Sequence, residues 1–308
     1  MSDLIAGNNL EKILAGEKFA VTGELGPPRG ADLNEFVRLG NALRNHVDAF
    51  NITDNQTAIV HASSIACGVA LIRMGLEPVI QITVRDRNRI AIQSDVLGAV
   101  ALGVKNILCL SGDHQCFGNE PQAKGVYDID SIQLLDGLRR LRDEGKFIGG
   151  DQLKTPLSYF LGAVANPFAD PFTYRVDRLE KKIAAGAGFI QTQCIFDLPR
   201  FKRWMELVRE RGLHKKVAIL GGITPIKSMG AARFMKNKVS GIIIPDEIID
   251  RLRGAQNKKQ EGLNIAVETI KQLKEIEGVA GVHLMAIAWE ETIPEIVERA
   301  GLYPRPGM

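Results

Sequence analysis

Apolar residues along the chain gather into short runs of strand length, separated by amphipathic stretches. Eight runs read as strands: FAVTGEL (19–25), VDAFNITD (47–54), EPVIQITV (77–84), KNILCLSG (105–112), YFLGAVAN (159–166), GFIQTQCI (188–195), KVAILGGI (216–223) and VHLMAI (282–287). Between them lie helical patterns such as DLNEFVRLGNALRN, with Asp32 and Glu35 at capping-box spacing, and RVDRLEKKIAAGAG, whose glycines suit a helix end. Strand and helix alternate in steps of roughly 25 to 40 residues, which implies parallel pairing through right-handed crossovers. Continuously apolar strands fit a sheet covered on both faces. Eight such units favour a closed (β/α)8 barrel over an open doubly wound sheet.

SGIIIPDEIIDRL (240–252) also begins like a strand. Pro245 breaks the run and a helical pattern follows, so an extended piece leading into an extra helical insertion near 246–262 is expected rather than a ninth strand. A short helix is expected before the first strand. With no Pro-, Gly- or Ser-rich linker, residues 1–308 read as one domain.

Composition narrows the function classes. A net charge of +3 on 308 residues, with no dense Lys/Arg block, argues against nucleic-acid binding. No membrane span or signal peptide is evident, and a cytoplasmic protein is expected. Cys67, Cys109, Cys116 and Cys194 are scattered without a C-x-x-C pair, and the five histidines lack metal-ligand spacing, so no metal site is expected. Neither a P-loop nor a G-x-G-x-x-G after a strand is present, so a dinucleotide would not be held in the Rossmann manner.

Active sites of such barrels form at the C-terminal strand ends. Polar residues collect there: Glu24 on the first strand, Thr53, Asp54 and Asn55 on the second, Gln81, Thr83, Arg85 and Asp86 on the third, and Ser111, Gly112 and Asp113 on the fourth. Asn166 ends the fifth, Gln191 and Gln193 share a face of the sixth, and GGITP closes the seventh. Such a mouth suits a polar heteroaromatic ligand. Asp54, Asn55 and Asp86 could equally cap the helices that follow. Glu24 is different, because Pro27 and Pro28 end its strand and preclude capping on its own loop; the competing structural role is an ion pair with Arg29 or Lys18.

In order, GELGPP, NITDN, LSGDH, Tyr127 and Asp130 before IQLL, KKIAAGAGFIQTQCIFD, GGITP and HLMAIAWEE resemble the methylenetetrahydrofolate reductases over nearly the whole chain. The resemblance implies a flavin-dependent barrel enzyme that reduces 5,10-methylenetetrahydrofolate to 5-methyltetrahydrofolate. Glu24 matches the family's general acid and Asp113 the carboxylate beside flavin and pterin. Gln193 matches the folate-binding amide. Thr53, Gln81, Ser111, Gly112, Tyr127, Asp128, Ala165, Lys181 and Lys182 fall at cofactor-binding positions, with Lys182 as the implied charge partner of a flavin phosphate. Met229 falls at a substrate-stacking position.

FAD or FMN is implied as the cofactor, and NADH or NADPH as the electron donor. The bacterial NADH-using members carry Arg at Ser111, an aromatic at Ala165, Phe at Met229 and Arg at Trp289. This pattern looks more like the divergent reductases of acetogenic and related anaerobic bacteria, some of which work with a second subunit carrying zinc and iron–sulphur centres. A homo- or hetero-oligomer is implied.

Two other readings compete. An aldolase or phosphate-binding synthase would need a strand-end Schiff-base Lys or a phosphate-cradling loop, and neither is present. A flavin- or folate-binding subunit that receives electrons from a partner fits the replaced aromatic, but not the retained Glu24 and Asp113.

Overall fold

The computed structural model describes residues 4–239 and 241–306. Eight parallel strands, β1 (Ala20–Leu25), β2 (Ala49–Ile52), β3 (Pro78–Thr83), β4 (Asn106–Leu110), β5 (Phe160–Ala165), β6 (Phe189–Cys194), β7 (Ala218–Ile223) and β8 (Val279–Leu284), close in sequence order into a (β/α)8 barrel, β8 pairing with β1. Around it run α2 (Asn34–Leu43), α3 (Ser64–Arg73), α4 (Arg89–Ala101), α5 (Ser131–Asp143), α6 (Tyr174–Ala184), α7 (Leu198–Glu210), α10 (Lys258–Lys274) and α11 (Ile293–Arg299), while α1 (Asn9–Ala15) precedes β1.

All eight expected strands are found. β8 differs in its bounds, starting at Val279 and ending at Leu284 where the apolar run suggested 282–287. Gly281 lies within the strand ahead of that run, and it is required there: a Cβ would lie 2.4 Å from the Ala20 carbonyl oxygen. The missing side chain lets β8 approach β1.

Helix starts follow local chemistry, not always as the spacing suggested. At α2 the Asp32 carboxylate accepts the Asn34 N–H at 2.9 Å, but Glu35 forks onto Arg38 at 2.6 and 2.7 Å instead of reaching back to the cap. The capping box forms at α5, between Asp130 and Gln133.

Between β7 and α10 lie two extra helices, α8 (Met229–Lys238) and α9 (Asp246–Gly254). Residues 242–245 have no regular structure and lie outside the sheet, with Pro245 at the cap of α9. Ser240, where that apolar run begins, lies outside the described residues. Ile226, Met235, Ile244, Ile249 and Leu252 form a satellite core that seats both helices on Cys194 and Phe196 beyond β6.

The barrel interior changes character along its axis. Its lower layer is apolar: Ala20, Ala49, Val79, Leu108, Phe160, Phe189 and Leu220 pack with Leu10 and Ile13 of α1, which closes the bottom. A fully buried Leu such as Leu10 contributes about 2 kcal/mol. The α1 N-terminus is held by Glu77, whose carboxylate accepts the Asn9 and Leu10 N–H groups at 2.6 and 2.9 Å. A larger apolar core, with Trp204, Phe201 and Leu138, fills the space between sheet and helices. No helix among the described residues is long and apolar enough to cross a membrane.

Candidate functional site

Alternation along each strand carries the interior from apolar to polar toward the C-terminal mouth. On β1, Ala20 is succeeded inward by Thr22 and then Glu24; on β6, Phe189 is succeeded by Gln191 and Gln193. Thr22, Asn51, Gln191 and His283 are all nearly fully buried. The amides of Asn51 and Gln191 bond each other reciprocally at 2.7 and 2.9 Å, and Gln191 Nε2 donates to Thr22 Oγ1 at 3.2 Å. Thr22 Oγ1 lies 3.0 Å from His283 Nδ1, and the other ring nitrogen, Nε2, lies 3.6 Å from Glu24 Oε2. Burial of this many polar groups is sustained because each finds a partner.

Glu24 stands at the top of that column with its side chain 20% exposed. It pairs with neither Lys18 nor Arg29; among the described residues His283 is the basic group within ion-pair range. Pro27 behind it is buried, and the Pro28 carbonyl accepts the Ala62 N–H at 2.8 Å, so the loop after β1 is tied to the loop after β2. Glu290, in the turn after β8, feels the charge of Glu24, and burial foremost raises its carboxyl above the usual range.

The loops after β2, β3 and β4 are bound together by two arginines. Arg85, 2% exposed, forks onto Asp86 at 2.6 and 2.7 Å and donates to the backbone carbonyls of Asp113 and Asn55 at 2.9 and 3.2 Å. Arg87 pairs with Asp54 at 2.6 Å, and the same Asp54 oxygen accepts the Thr83 N–H and hydroxyl, each at 2.9 Å. Asp54, Asn55 and Asp86 are thus loop ties rather than helix caps; Asn88 caps α4.

Asp113 lies at the mouth, its Oδ2 accepting the Thr57 N–H at 2.9 Å. Gly112 before it has φ +84°, and a Cβ there would sit 3.1 Å from Arg85 Cβ, so bare backbone is presented between β3 and β4. Thr53 is buried and donates to Gln56 Oε1 at 2.7 Å. Gln81 faces inward above Val79; its carbonyl accepts from Ser64 Oγ at 2.8 Å, while its amide bonds to no other described residue. Ser111 is exposed, Ala165 half-buried at the end of β5, and Tyr127 42% exposed on the rim. Gln193 is half-buried, its Oε1 accepting the Cys194 N–H at 3.3 Å.

Four expected site residues are placed elsewhere or otherwise engaged. Asp128 pairs with Arg89 at 2.7 Å, and hydrogen bonds from that side chain and its N–H hold its carboxyl at about 2. Lys181 is exposed on the last turn of α6. Lys182 lies one residue on, where α6 faces the sheet; its Nζ is buried there, near outward-facing Cys109, and donates to the Val164 carbonyl at 2.6 Å. Burial lowers its pKa to about 8. Met229 opens α8 and packs on the satellite core.

The inner residues Thr22, Asn51 and His283 were not singled out from the sequence. Their signal was a polar residue inside an apolar run, at the position that alternation turns inward. Among the described residues, no group of three or more His, Cys, Asp or Glu could hold a metal ion. A cleft of about 540 Å³ lined by Asp48, Glu77, Lys105 and Arg305 opens at the opposite end of the barrel, away from the strand C-termini.

The groups this mouth leaves free suit a flavin ring: Gln81 offers an amide unpaired among the described residues, Gly112 its backbone and Ser111 an exposed hydroxyl. Lys182 does not reach this mouth, so it does not complete the fit for a phosphate.

A family model described as methylenetetrahydrofolate reductase matches residues 9–301. Among curated relatives, the probable methylenetetrahydrofolate reductase (NADPH) of Caenorhabditis elegans is 26% identical over 82% of this chain and 36% of its own length. The 5,10-methylenetetrahydrofolate reductase of Salmonella typhimurium is 24% identical over 77% of this chain and 73% of its own. Methylenetetrahydrofolate reductase 1 of Schizosaccharomyces pombe is matched over 32% of its length, so the chain spans about a third of these eukaryotic relatives. A solved structure from Clostridium thermocellum, of a protein that binds two copies of 5-methyl-5,6,7,8-tetrahydrofolic acid, shares the fold at TM-score 0.66 and 15% identity, covering 94% of this chain and 97% of that one.

Proposed function

The chain belongs to the methylenetetrahydrofolate reductase family, and from that premise we propose that it reduces 5,10-methylenetetrahydrofolate to 5-methyltetrahydrofolate at the barrel mouth, with a flavin, FAD or FMN, as cofactor. The observation that carries this reading is Glu24: a partly exposed carboxylate at the C-terminal end of β1, unpaired by Lys or Arg and facing the mouth that Gln81, Gly112, Asp113 and Gln193 share.

Opening the five-membered ring of the substrate breaks the bond between the bridging carbon and N10. The carbon becomes an N5 iminium, and N10 takes up a proton. Glu24 in its protonated form supplies that proton, and as a carboxylate it then stabilises the cation electrostatically. The flavin, when bound, supplies the hydride that turns the iminium carbon into the N5-methyl group. Gln81, Ser111, Gly112, Thr53 and Tyr127 would hold the flavin, Gln81 through its free amide. Asp113, whose backbone is fixed by Arg85, accepts pterin N–H groups, and the Gln193 amide bonds the folate.

NADH or NADPH is the proposed electron donor. Exposed apolar residues on the mouth loops favour a second source: Val60, Phe117 and Ile287 are 55%, 66% and 68% exposed. A partner subunit carrying redox centres could dock there and pass electrons to the flavin. Rapid NADH oxidation by the purified chain with an external acceptor would eliminate an obligatory partner.

The main test is Glu24→Gln. The variant is expected to keep its flavin and flavin reduction while folate turnover falls by about 10²- to 10⁴-fold, the usual contribution of a general acid. Equal loss of both half-reactions would remove Glu24 from the role.

A further inference from the structure

We propose that His283 is a positioning residue that sets the proton affinity of Glu24 from inside the barrel, through a chain of hydrogen bonds that dictates which imidazole nitrogen carries the proton. The inference rests on the proposed role of Glu24 as general acid and extends it to a residue beneath the site.

The polarity of the chain follows from its donors. With Gln191 Nε2 facing Thr22, the Thr22 hydroxyl accepts from the amide, and its single proton is free to go to His283 Nδ1, 3.0 Å away. His283 is then an acceptor at Nδ1 and carries its proton on Nε2, the nitrogen turned toward Glu24 Oε2 at 3.6 Å. Asn51 holds the far end by pairing with both atoms of the Gln191 amide. In this tautomer the buried ring is held between Thr22 on β1 and Glu24 at the mouth. The 3.6 Å separation is longer than a hydrogen bond, and closes with a small rotation of the partly exposed carboxylate, as catalytic contacts tighten when substrate is bound.

A fixed N–H donor stabilises the carboxylate over the acid. An Nε2–H so placed favours the ionised form of Glu24 and helps return the carboxylate to one orientation after each proton transfer. The other titratable groups near Glu24 are the Cys194 thiol on β6, pushed up to about 11 by burial while it shares a 2.9 Å contact with Thr224 Oγ1, and Glu290 after β8. The thiol stays neutral at neutral pH, so His283 and Glu290 are the groups that can bias Glu24.

Two amide replacements separate the ring's two contacts. In His283→Gln the amide nitrogen replaces Nε2 and keeps the donor to Glu24; in His283→Asn the amide oxygen stands in for Nδ1, accepting from Thr22, and the donor to Glu24 is deleted. The Glu24 carboxyl is titrated by ¹³C NMR in glutamate-labelled protein, its resonance assigned by its absence in Glu24→Gln, and the pH profile of folate reduction is recorded beside it.

The expected result is an unchanged midpoint in His283→Gln and a rise of about one pH unit in His283→Asn, equivalent to tenfold tighter proton binding. An unchanged midpoint in His283→Asn, or an equal shift in both variants, overturns the proposal. If the NMR midpoint moves but the alkaline limb of the rate profile does not follow, the coupling of His283 to Glu24 stands and the general-acid role of Glu24 fails.

Discussion

Lys182 distinguishes a core lysine from a phosphate ligand, and replacing it with Met tests which it is. Its ammonium is buried beneath α6 with the Val164 carbonyl as its hydrogen-bond acceptor, and burial lowers its pKa from 10.5 to about 8. An unfolded chain restores the ordinary value. Between those two pKa values the unfolded state binds more protons than the folded one, so the stability contributed by this residue rises with pH. Below about pH 8 both states are protonated and the full cost of burying the charge is present.

A depression of about 2.5 units corresponds to roughly 3 kcal/mol in total, of which about 2 kcal/mol is recovered between pH 7 and 9.5. The assay is urea unfolding of wild type and Lys182→Met at several pH values in that range. The difference, wild type minus variant, should climb by about 2 kcal/mol, whatever constant offset comes from the lost bond to Val164. A flat difference would refute the buried-charge reasoning. The flavin content of Lys182→Met supplies the second readout: it is expected to match wild type, and its loss would show that the ammonium leaves the core to meet a phosphate.

Two further substitutions test the frame. Arg305→Met should cost about 3–5 kcal/mol in chemical unfolding, because Asp48, whose side chain is fully buried, would lose its partner at 2.6 Å and retain an uncompensated charge. An effect below about 1 kcal/mol would show that the pair adds little. Gly281→Ala should destabilise by at least about 2 kcal/mol by thermal or urea unfolding, since its Cβ would overlap the Ala20 carbonyl; a neutral or stabilising outcome, as alanine usually produces in place of a strand glycine, would contradict the close approach of β8 to β1.

Residue order alone determined the eight strands, their parallel sense and the placement of Glu24, because strand periodicity, crossover length and proline are local properties of the chain. It also determined that 241–252 is no ninth strand, since Pro245 interrupts it whatever surrounds it. The resemblance carried by GELGPP, LSGDH and TQCIFD agrees with the family match over 9–301.

Contacts between distant segments were decided only by the fold. Arg85 read as a strand-end charge, yet it and Arg87 find their partners on the loops after three different strands. Lys182 looked like a phosphate ligand, although its neighbours place it where α6 faces the sheet: one helical residue changes the direction of a side chain by about 100°, so adjacent Lys181 and Lys182 point to solvent and to the core. The column beneath Glu24 is the clearest case. Thr22, Asn51, Gln191 and His283 are separated by up to 261 positions along the chain, and closure of β8 onto β1 is what brings His283 beside Thr22 and under Glu24. A hydrogen bond is set by distance in space, which periodicity does not specify and barrel closure does.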